Sequence, residues 1–410
     1  MRGAGDQFSI GERIAFYRRR RGLTQGVLAG LVGRSEDWLS KIERGERDVR
    51  RLDVLAEVAQ ALRVTMGDLL GQPVLVEDEH NEDDNVPAIR DALMAPRRLS
   101  RVLFGRNEAA PIEVGPVQRL AEMAWSDFQR GRLGSTISAL PSLIASAQQL
   151  EDAAGDLVDA RAAWAVSARI HHLGASTLSK IGEADLAWMA AERAMQAADQ
   201  SDDPKVLASA ARAGTHALLA VGRYDDALSL GATASSWLRD RVEDDDPEAL
   251  SLSGMLQLRT ALAAARHQDR GTRTDLLHQA SAAADRLGED ANYWQTGFGP
   301  TNVKLHELAT ALDLGDVAYV VEHGPDVTVD HMPVERSVAY QIDLARALSL
   351  VARDDEALPH LLDAEREAPQ LVRHSAKVRE TVRAMHRRAP VTAGKESALL
   401  GLAERCRAVQ

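Results

Sequence analysis

Turns of one layout recur along most of the chain and constrain its fold more than any other feature. In each, a small residue and then polar residues lead to an alanine five positions later. Three turns follow this layout fully and begin at Gly182, Gly222 and Ala352; related turns without the alanine occur at Gly131 and Gly315. Their spacing of roughly 40 residues fits two antiparallel helices with their loops. The pattern predicts a repeat of helical hairpins, in which Ala187, Ala227 and Ala357 lie where paired helices approach closely.

Helical periodicity runs from Val86 almost to the end of the sequence. The alternation of apolar and polar residues that is typical of a strand is absent, except for a short stretch at 326–329 that lies in a loop. The sequence therefore predicts an all-α protein. No apolar run approaches the roughly 20 residues that cross a bilayer, and the first residues lack the apolar segment of a signal peptide. The single cysteine, Cys406, cannot form an internal disulfide or a cysteine-rich zinc site. We expect a cytoplasmic protein that does not contact membranes.

The first 70 residues have their own pattern of short helices. Capping residues Thr24 and Ser35, and glycines such as Gly33 and Gly45, divide the segment. The expected helices are 10–21, 25–32, 35–44, 52–62 and 66–70. Such a set predicts a compact five-helix domain.

Charge supports a division into domains. Residues 1–71 contain 13 Lys and Arg against 10 Asp and Glu, whereas the whole chain has a net charge of -12. Residues 72–85 are rich in acids and contain no basic residue, which is typical of an exposed flexible linker. We expect a separate domain at 1–71, a linker at 72–85 and a helical-repeat domain at 86–410. A small basic module on a large acidic body suits a protein that touches nucleic acid with one end.

The first domain resembles the helix-turn-helix of the XRE family, which includes the phage repressors. The residues that carry the resemblance are Thr24, Gln25, Leu28, Ala29, Gly33 and the run SEDWLSKIERG at 35–45. Ala29 is small where the two helices of the motif cross, and Gly33 supplies the positive φ of the turn. The expected core consists of Leu28, Leu39, Ile42, Leu52, Leu55 and Leu62.

The remainder resembles tetratricopeptide repeats, with five or six divergent helical pairs in an α-solenoid. The whole layout is similar to bacterial regulators with an XRE head and a repeat body, among them the peptide-pheromone receptors of Gram-positive bacteria. The Ala- and Arg-rich composition of the chain suits an actinobacterium with a GC-rich genome. The resemblance implies a sequence-specific transcription regulator that acts as a homodimer on palindromic double-stranded DNA. The repeat domain would dimerise and bind a signalling peptide, as in quorum sensing, or a small molecule.

The resemblance places helix 35–44 in the major groove, with Glu36, Asp37 and Lys41 at base edges. Lys41 can donate to guanine, whereas the two acids serve as base discriminators or as charges at the helix N-terminus. Trp38 packs on the DNA backbone or on a neighbouring helix. Phosphate contacts are expected from Gln25 and from the arginines at 18–21, 34, 44, 47, 50 and 51. The full predicted interface is Arg18, Gln25, Arg34, Ser35, Glu36, Asp37, Trp38, Ser40, Lys41, Arg44 and Arg47.

Counting back from the repeat turns predicts a ligand groove on the concave face of the solenoid. Its residues are Arg169, His172, Arg212, His216, Asn302 and Arg346. Such a groove can hold an extended peptide by its backbone and terminal carboxylate, or a small anionic metabolite. The loop around Tyr293 and Trp294 is either a wall of this pocket or simply packed on the solenoid.

Enzyme signatures are incomplete. His306 begins a zinc-protease pattern, but Thr310 stands where the second histidine is needed. His171 and His172 are adjacent and point to different faces of a helix, and no phosphate-binding loop or nucleophile elbow occurs. We expect no catalysis, cofactor or metal.

The competing function is a protein-interaction adaptor, in which the repeats bind a partner protein and the head only localises it to DNA.

Overall fold

The computed structural model describes residues 9–20, 24–47, 49, 52–62, 64, 69, 86–96, 103, 112–156, 158–243, 245–389 and 398–408. Helices dominate these residues, which contain no strand and one isolated bridge between Ala291 and Phe298. The predicted all-α class is therefore confirmed. The chain divides into two compact units, Met1–Glu82 and Asp83–Gln410, here called the head and the body. The predicted linker at 72–85 lies outside the described residues.

The head contains the helix-turn-helix that the sequence predicts. Its described helices are α1 (Ile10–Arg20), α2 (Gln25–Leu31), α3 (Glu36–Glu43) and α4 (Leu52–Leu62). The hydroxyl of Thr24 accepts from the Val27 amide at 3.2 Å, and that of Ser35 accepts from the Trp38 amide at the same distance. These bonds satisfy amides that the first turn of a helix leaves free. Most of the predicted fifth helix, 66–70, lies outside the described residues.

A small apolar core holds the head together. Leu28, Leu39, Ile42, Leu55 and Leu62 are all buried, as predicted; the side chain of Leu52 lies outside the described residues. Each such side chain contributes about 1.5–3 kcal/mol when buried. Ala29 is also buried, and Gly33 has the predicted positive φ of 62°.

The body is a solenoid of stacked helical hairpins. The first described helix of the body is α5 (Val86–Leu93). Six hairpins follow: α6 (Val114–Gln129) with α7 (Leu133–Ala153), α8 (Ala160–Lys180) with α9 (Ala184–Ser201), α10 (Pro204–Ala220) with α11 (Tyr224–Arg239), α12 (Pro247–Arg266) with α13 (Arg270–Leu287), α14 (Pro300–Asp313) with α15 (Val317–His323), and α16 (Val334–Leu350) with α17 (Asp354–Glu367). The last described helices are α18 (Pro369–Arg373), α19 (Ala376–Arg388) and α20 (Ala398–Arg405).

Each hairpin turn contains a residue with a positive φ, in the left-handed region of backbone conformations. The five predicted turns place Gly131, Gly182, Gly222, Gly315 and Ala352 there. Ala187, Ala227 and Ala357 are fully buried in the second helix of their hairpins, as the repeat pattern predicts. The sixth turn, between α12 and α13, uses Gln268 with φ 63° instead of a glycine.

The first and last hairpins of the body contact each other. The α6–α7 turn is so close to α18 that a Cβ on Gly131 would lie 2.7 Å from the Ala368 Cβ. The Gly134 amide donates to the side-chain carbonyl of Gln370. The curved stack therefore closes on itself around an internal space, which is the setting of the site in the body.

Candidate functional site

The outward face of α3 in the head is polar. Glu36, Asp37 and Arg44 are exposed, and Ser40 and Lys41 are half-buried. The Lys41 ammonium lies 2.7 Å from the Asp37 carboxylate, one helical turn away. Since both side chains are largely in water, this pair is weak and opens at small cost. The opposite face of the helix packs into the core.

The ends of α3 carry further polar groups. The guanidinium of Arg34 lies 5.7 Å from the centre of the Trp38 ring, and Trp38 itself is half-buried against the head core. This position supports the packing alternative for Trp38. Arg44 lies 3.0 Å from the carboxylate of Glu46, and Arg47 is exposed. Ser35 is exposed and caps the helix.

Arg18 does not lie on this polar face, which corrects the prediction that it contacts phosphate. It is buried, and its guanidinium donates to both carboxylate oxygens of Glu43 at 2.5 and 2.8 Å. The side-chain amide of Gln25 donates to the same carboxylate at 2.7 Å. The hydrogen bond with Glu43 raises the pKa of Arg18 above its ordinary value. The three residues therefore tie α1 and the start of α2 to the end of α3.

Glu43 binds two of the predicted DNA-contacting residues, Arg18 and Gln25, and sequence reasoning missed it. It follows Ile42 and comes four residues after Leu39, on the buried side of α3. A carboxylate at an inward position, with a run of arginines at the end of α1, was the available signal. The phosphate contact predicted for Gln25 stays a prediction, as do the roles of the outward residues. The side chains of residues 19–21, 50 and 51 lie outside the described residues.

The body encloses two adjoining cavities, of about 350 and 30 Å³, here called the outer and inner cavities. The larger volume is within the range that holds small ligands. Five residues line both cavities, so the two spaces share a wall: Lys180, His216, Arg259, Glu335 and Arg336. They come from α8, α10, α12 and α16, which are the first helices of four different hairpins.

The shared wall is strongly charged. The ammonium of Lys180 binds the buried carboxylate of Glu335, and Arg336 lies 3.6 Å from the same carboxylate. Burial opposes ionisation of Glu335, but the charges of Arg336 and Lys180 outweigh it and hold the pKa of Glu335 well below its usual value. Burial, and then the charge of Arg336, lowers the pKa of Arg212 and of Arg259 to about 9.

Three histidines of the cavities are neutral at pH 7. Burial, and secondarily the charge of Arg212, lowers the pKa of His172 well below its ordinary value. For His216 and His306 the causes of the same lowering are burial and then the charge of Arg259. The Nδ1 atom of His172 lies 3.0 Å from the Ser209 hydroxyl. These rings therefore add no charge to the cavities at neutral pH.

The structure brings together three of the six predicted groove residues. His172, Arg212 and His216 all line the inner cavity. Arg346 lines neither described cavity and lies 3.9 Å from the Asp313 carboxylate. Asn302 is fully buried and is not among the residues that line either cavity, so its ligand contact stays a prediction. Its amide donates to the carbonyl of Gly297 at 2.8 Å and of Thr296 at 3.3 Å.

Arg169 holds the loop that joins α13 to α14. Its guanidinium lies 5.4 Å from the centre of the Trp294 ring and donates to the Gln295 side chain at 2.9 Å. Trp294 and Gln295 both have positive φ, which is uncommon for residues with side chains. Because Gln295 and Thr296 line the inner cavity, the loop both packs on the solenoid and forms part of the cavity wall.

Sequence reasoning missed four of the five charged residues that line the inner cavity: Lys180, Arg259, Glu335 and Arg336. Arg259 was missed because counting began from turns with a glycine or alanine, and Gln268 takes the left-handed position after α12. Arg259 precedes Gln268 by nine residues, close to the ten that separate Arg212 from Gly222.

Among the described residues, no group of three or more His, Cys, Asp or Glu side chains is placed to hold a metal ion. None of the described helices is both long and apolar enough to cross a membrane.

Comparisons with known proteins concern mainly the head. Residues 9–71 match the sequence model of a family described as "Helix-turn-helix domain". No curated protein matches the chain. A solved structure, the crystal structure of Bacillus thuringiensis PlcR in complex with the peptide PapR7 and DNA, aligns at 15% identity with a TM-score of 0.29; the alignment covers 68% of this chain and 95% of that one. The chain therefore carries, in its head, a helix-turn-helix domain, which is a DNA-binding module of transcription regulators.

Proposed function

We propose that this chain is a sequence-specific transcription regulator whose head reads duplex DNA and whose body binds an effector. The observation that carries the proposal is the outward face of α3 within a matched helix-turn-helix domain. Glu36, Asp37, Ser40, Lys41 and Arg44 all point away from the core, at the spacing of one helical face. A helix of this kind fits the major groove, where carboxylates accept from cytosine and lysine donates to guanine.

The geometry of such a head favours a dimer as the active form. One recognition helix covers only half of a typical operator, and a single domain of this size buries too little surface for tight specific binding. Two copies on a palindromic site double the contacts. We therefore propose a homodimer that works in the cytoplasm, with the body as its scaffold.

The body supports the effector part of the proposal. Its two cavities are lined by hydrogen-bonding and cationic groups from several hairpins, so a ligand there contacts parts of the solenoid that are distant in sequence. Such a ligand can be a peptide with a terminal carboxylate or a small anionic molecule. A ligand that binds one curvature of the solenoid more tightly than another shifts the protein toward that curvature. The DNA affinity then changes if it differs between the two curvatures.

The test is a DNA-binding titration with the full chain. Genomic fragments are selected by the wild-type protein, and the affinity for the selected site is measured by fluorescence anisotropy at several salt concentrations. The double variant Lys41→Ala/Arg44→Ala should lose the site, whereas Arg366→Ala, an exposed arginine of α17, should keep it. If the wild type selects no sequence but co-purifies with one stoichiometric protein, the adaptor function replaces this proposal.

A further inference from the structure

The inner cavity gathers an unusual excess of positive charge. Four cationic side chains line it, and they come from four helices: Lys180, Arg212, Arg259 and Arg336, here called the inner cations. Among the described residues that line this cavity, Glu335 is the only carboxylate. With the histidines neutral, the lining carries three more positive than negative charges.

The protein does not neutralise this excess. Arg212 is buried, and its partners are the carbonyl of Trp294 at 3.3 Å and the neutral ring of His172 at 3.4 Å. Within the described part of the chain, no hydrogen bond or ion pair engages the guanidinium of Arg259. Glu335 is already shared by Lys180 and Arg336. Because a buried charge without a counter-charge is destabilising, a fold does not gain stability by keeping such groups.

Two other cations of the cavities are paired with carboxylates. In the outer cavity, Arg266 binds Asp313 at 2.9 Å, and Lys377 binds Asp343 at 3.1 Å. Each of these cations has a carboxylate partner. The unpaired charge is therefore confined to the inner cations, next to a space large enough for the rest of a ligand.

We propose that the inner cations form a binding site for a ligand that carries at least two negative charges on clustered oxygens, as phosphate esters and polycarboxylates do. This inference rests on the proposed function, because the ligand would be the effector. A monoanion, such as the terminal carboxylate of an otherwise uncharged peptide, leaves two excess charges in place. Guanidinium groups bind phosphate and carboxylate oxygens through paired hydrogen bonds, which makes arginine suited to such ligands.

The outer cavity accounts for the remainder of the ligand. Its walls include apolar side chains beside the shared charged wall, among them Leu262, Leu305, Val338, Ile342 and Leu371. A ligand with an anionic end and an apolar end satisfies both surfaces. The anionic end binds the inner cations, and the apolar end fills the outer cavity.

The experiment measures anion binding to the full chain without DNA. Thermal unfolding and calorimetric titration are run with inorganic phosphate, pyrophosphate, citrate, acetate and a short neutral peptide, at constant ionic strength set by chloride. We expect saturable stabilisation by pyrophosphate or citrate and little by acetate or the peptide; the stronger of the first two identifies the ligand class. Equal binding of acetate, or no saturable effect beyond that of chloride, would overturn the proposal.

Variants separate a ligand site from a structural role. Arg259→Gln removes a half-buried positive charge that no hydrogen bond or ion pair engages within the described residues, so it should raise the melting temperature of the ligand-free protein and weaken the anion affinity at least tenfold. Arg366→Gln, at an exposed position, should change neither. If Arg259→Gln instead lowers the melting temperature and leaves the affinity unchanged, the inference fails. Anion binding with unchanged DNA affinity would keep the site and reject only its effector role.

Discussion

Lys180 and Glu335 form a buried ion pair that joins α8 to α16, in hairpins four positions apart along the solenoid. Glu335 also balances Arg336, whereas Lys180 has further cations as neighbours. The two partners are therefore not equivalent. The carboxylate holds together one side of a cavity that is otherwise positive, and its removal leaves more uncompensated charge than removal of the ammonium.

This asymmetry gives the first prediction. Glu335→Gln should lower the free energy of unfolding by about 3–5 kcal/mol, because it leaves buried cations without their counter-charge. Lys180→Met should cost less, since Arg336 still faces Glu335. Urea unfolding of both variants, monitored by circular dichroism, compares the two costs. Equal losses would show that the neighbouring cations do not matter.

The buried pair in the head leads to the second prediction. Arg18→Met removes the cation that pairs with the Glu43 carboxylate inside the head, and should destabilise the head by about 3 kcal/mol or more. Hydrogen exchange followed by mass spectrometry should show faster exchange in α1 to α3 and unchanged exchange in the body. Arg44→Met removes an exposed pair and serves as the control, with an expected cost below about 1 kcal/mol.

Salt dependence checks the proposed DNA contacts one by one. Replacement of a residue that touches phosphate lowers the slope of log affinity against log salt by about 0.9 per contact, whatever the sequence. We expect this for Arg34→Ala and Arg47→Ala. Lys41→Ala should instead lose about 1–3 kcal/mol of preference for one base pair. A purely electrostatic effect of Lys41→Ala, equal on specific and random DNA, would contradict a base contact.

The neutral histidines of the cavities make the body sensitive to acid. The pKa values of His172, His216 and His306 are lowered in the folded state, so below pH 6.5 the unfolded chain takes up protons that the folded chain does not. Stability should therefore be full above that pH and fall as the pH decreases, by up to about 1.4 kcal/mol per pH unit for each ring. Glu335, with its lowered pKa, adds a loss in the same direction below about pH 4.5.

Urea unfolding at pH 7.5, 6.5 and 5.5 measures this slope. His172→Asn removes one titrating ring and should reduce the slope between pH 6.5 and 5.5 by up to about 1.4 kcal/mol per pH unit, with little change above pH 7. A slope that stays the same in this variant would mean that His172 titrates alike in both states.

Much of the fold followed from local features of the sequence. Thr24 and Ser35 cap helices with their own hydroxyls, and Gly33 meets a backbone requirement within its own turn. The buried alanines Ala187 and Ala227 were identified by their distance from the turns. In each case the deciding interaction joins residues a few positions apart, so the sequence pattern contains it.

The partners of charged side chains did not follow in the same way. Nothing local predicts that Arg18, within a run of four arginines, is buried, yet its guanidinium binds Glu43 in the core. Asn302 was chosen for its position on a helical face, but the fold directs its amide to the loop at Thr296 and Gly297.

The sequence by itself determined the helices, their turns, the repeat and the type of head, because these depend on periodicity, capping and backbone preference over short distances. Only the tertiary structure decided which charges share a cavity. Lys180 and Glu335 are distant along the chain and meet because the stacked hairpins curve back on one another. That curvature is the sum of many packing contacts between helices, and no single stretch of residues encodes it.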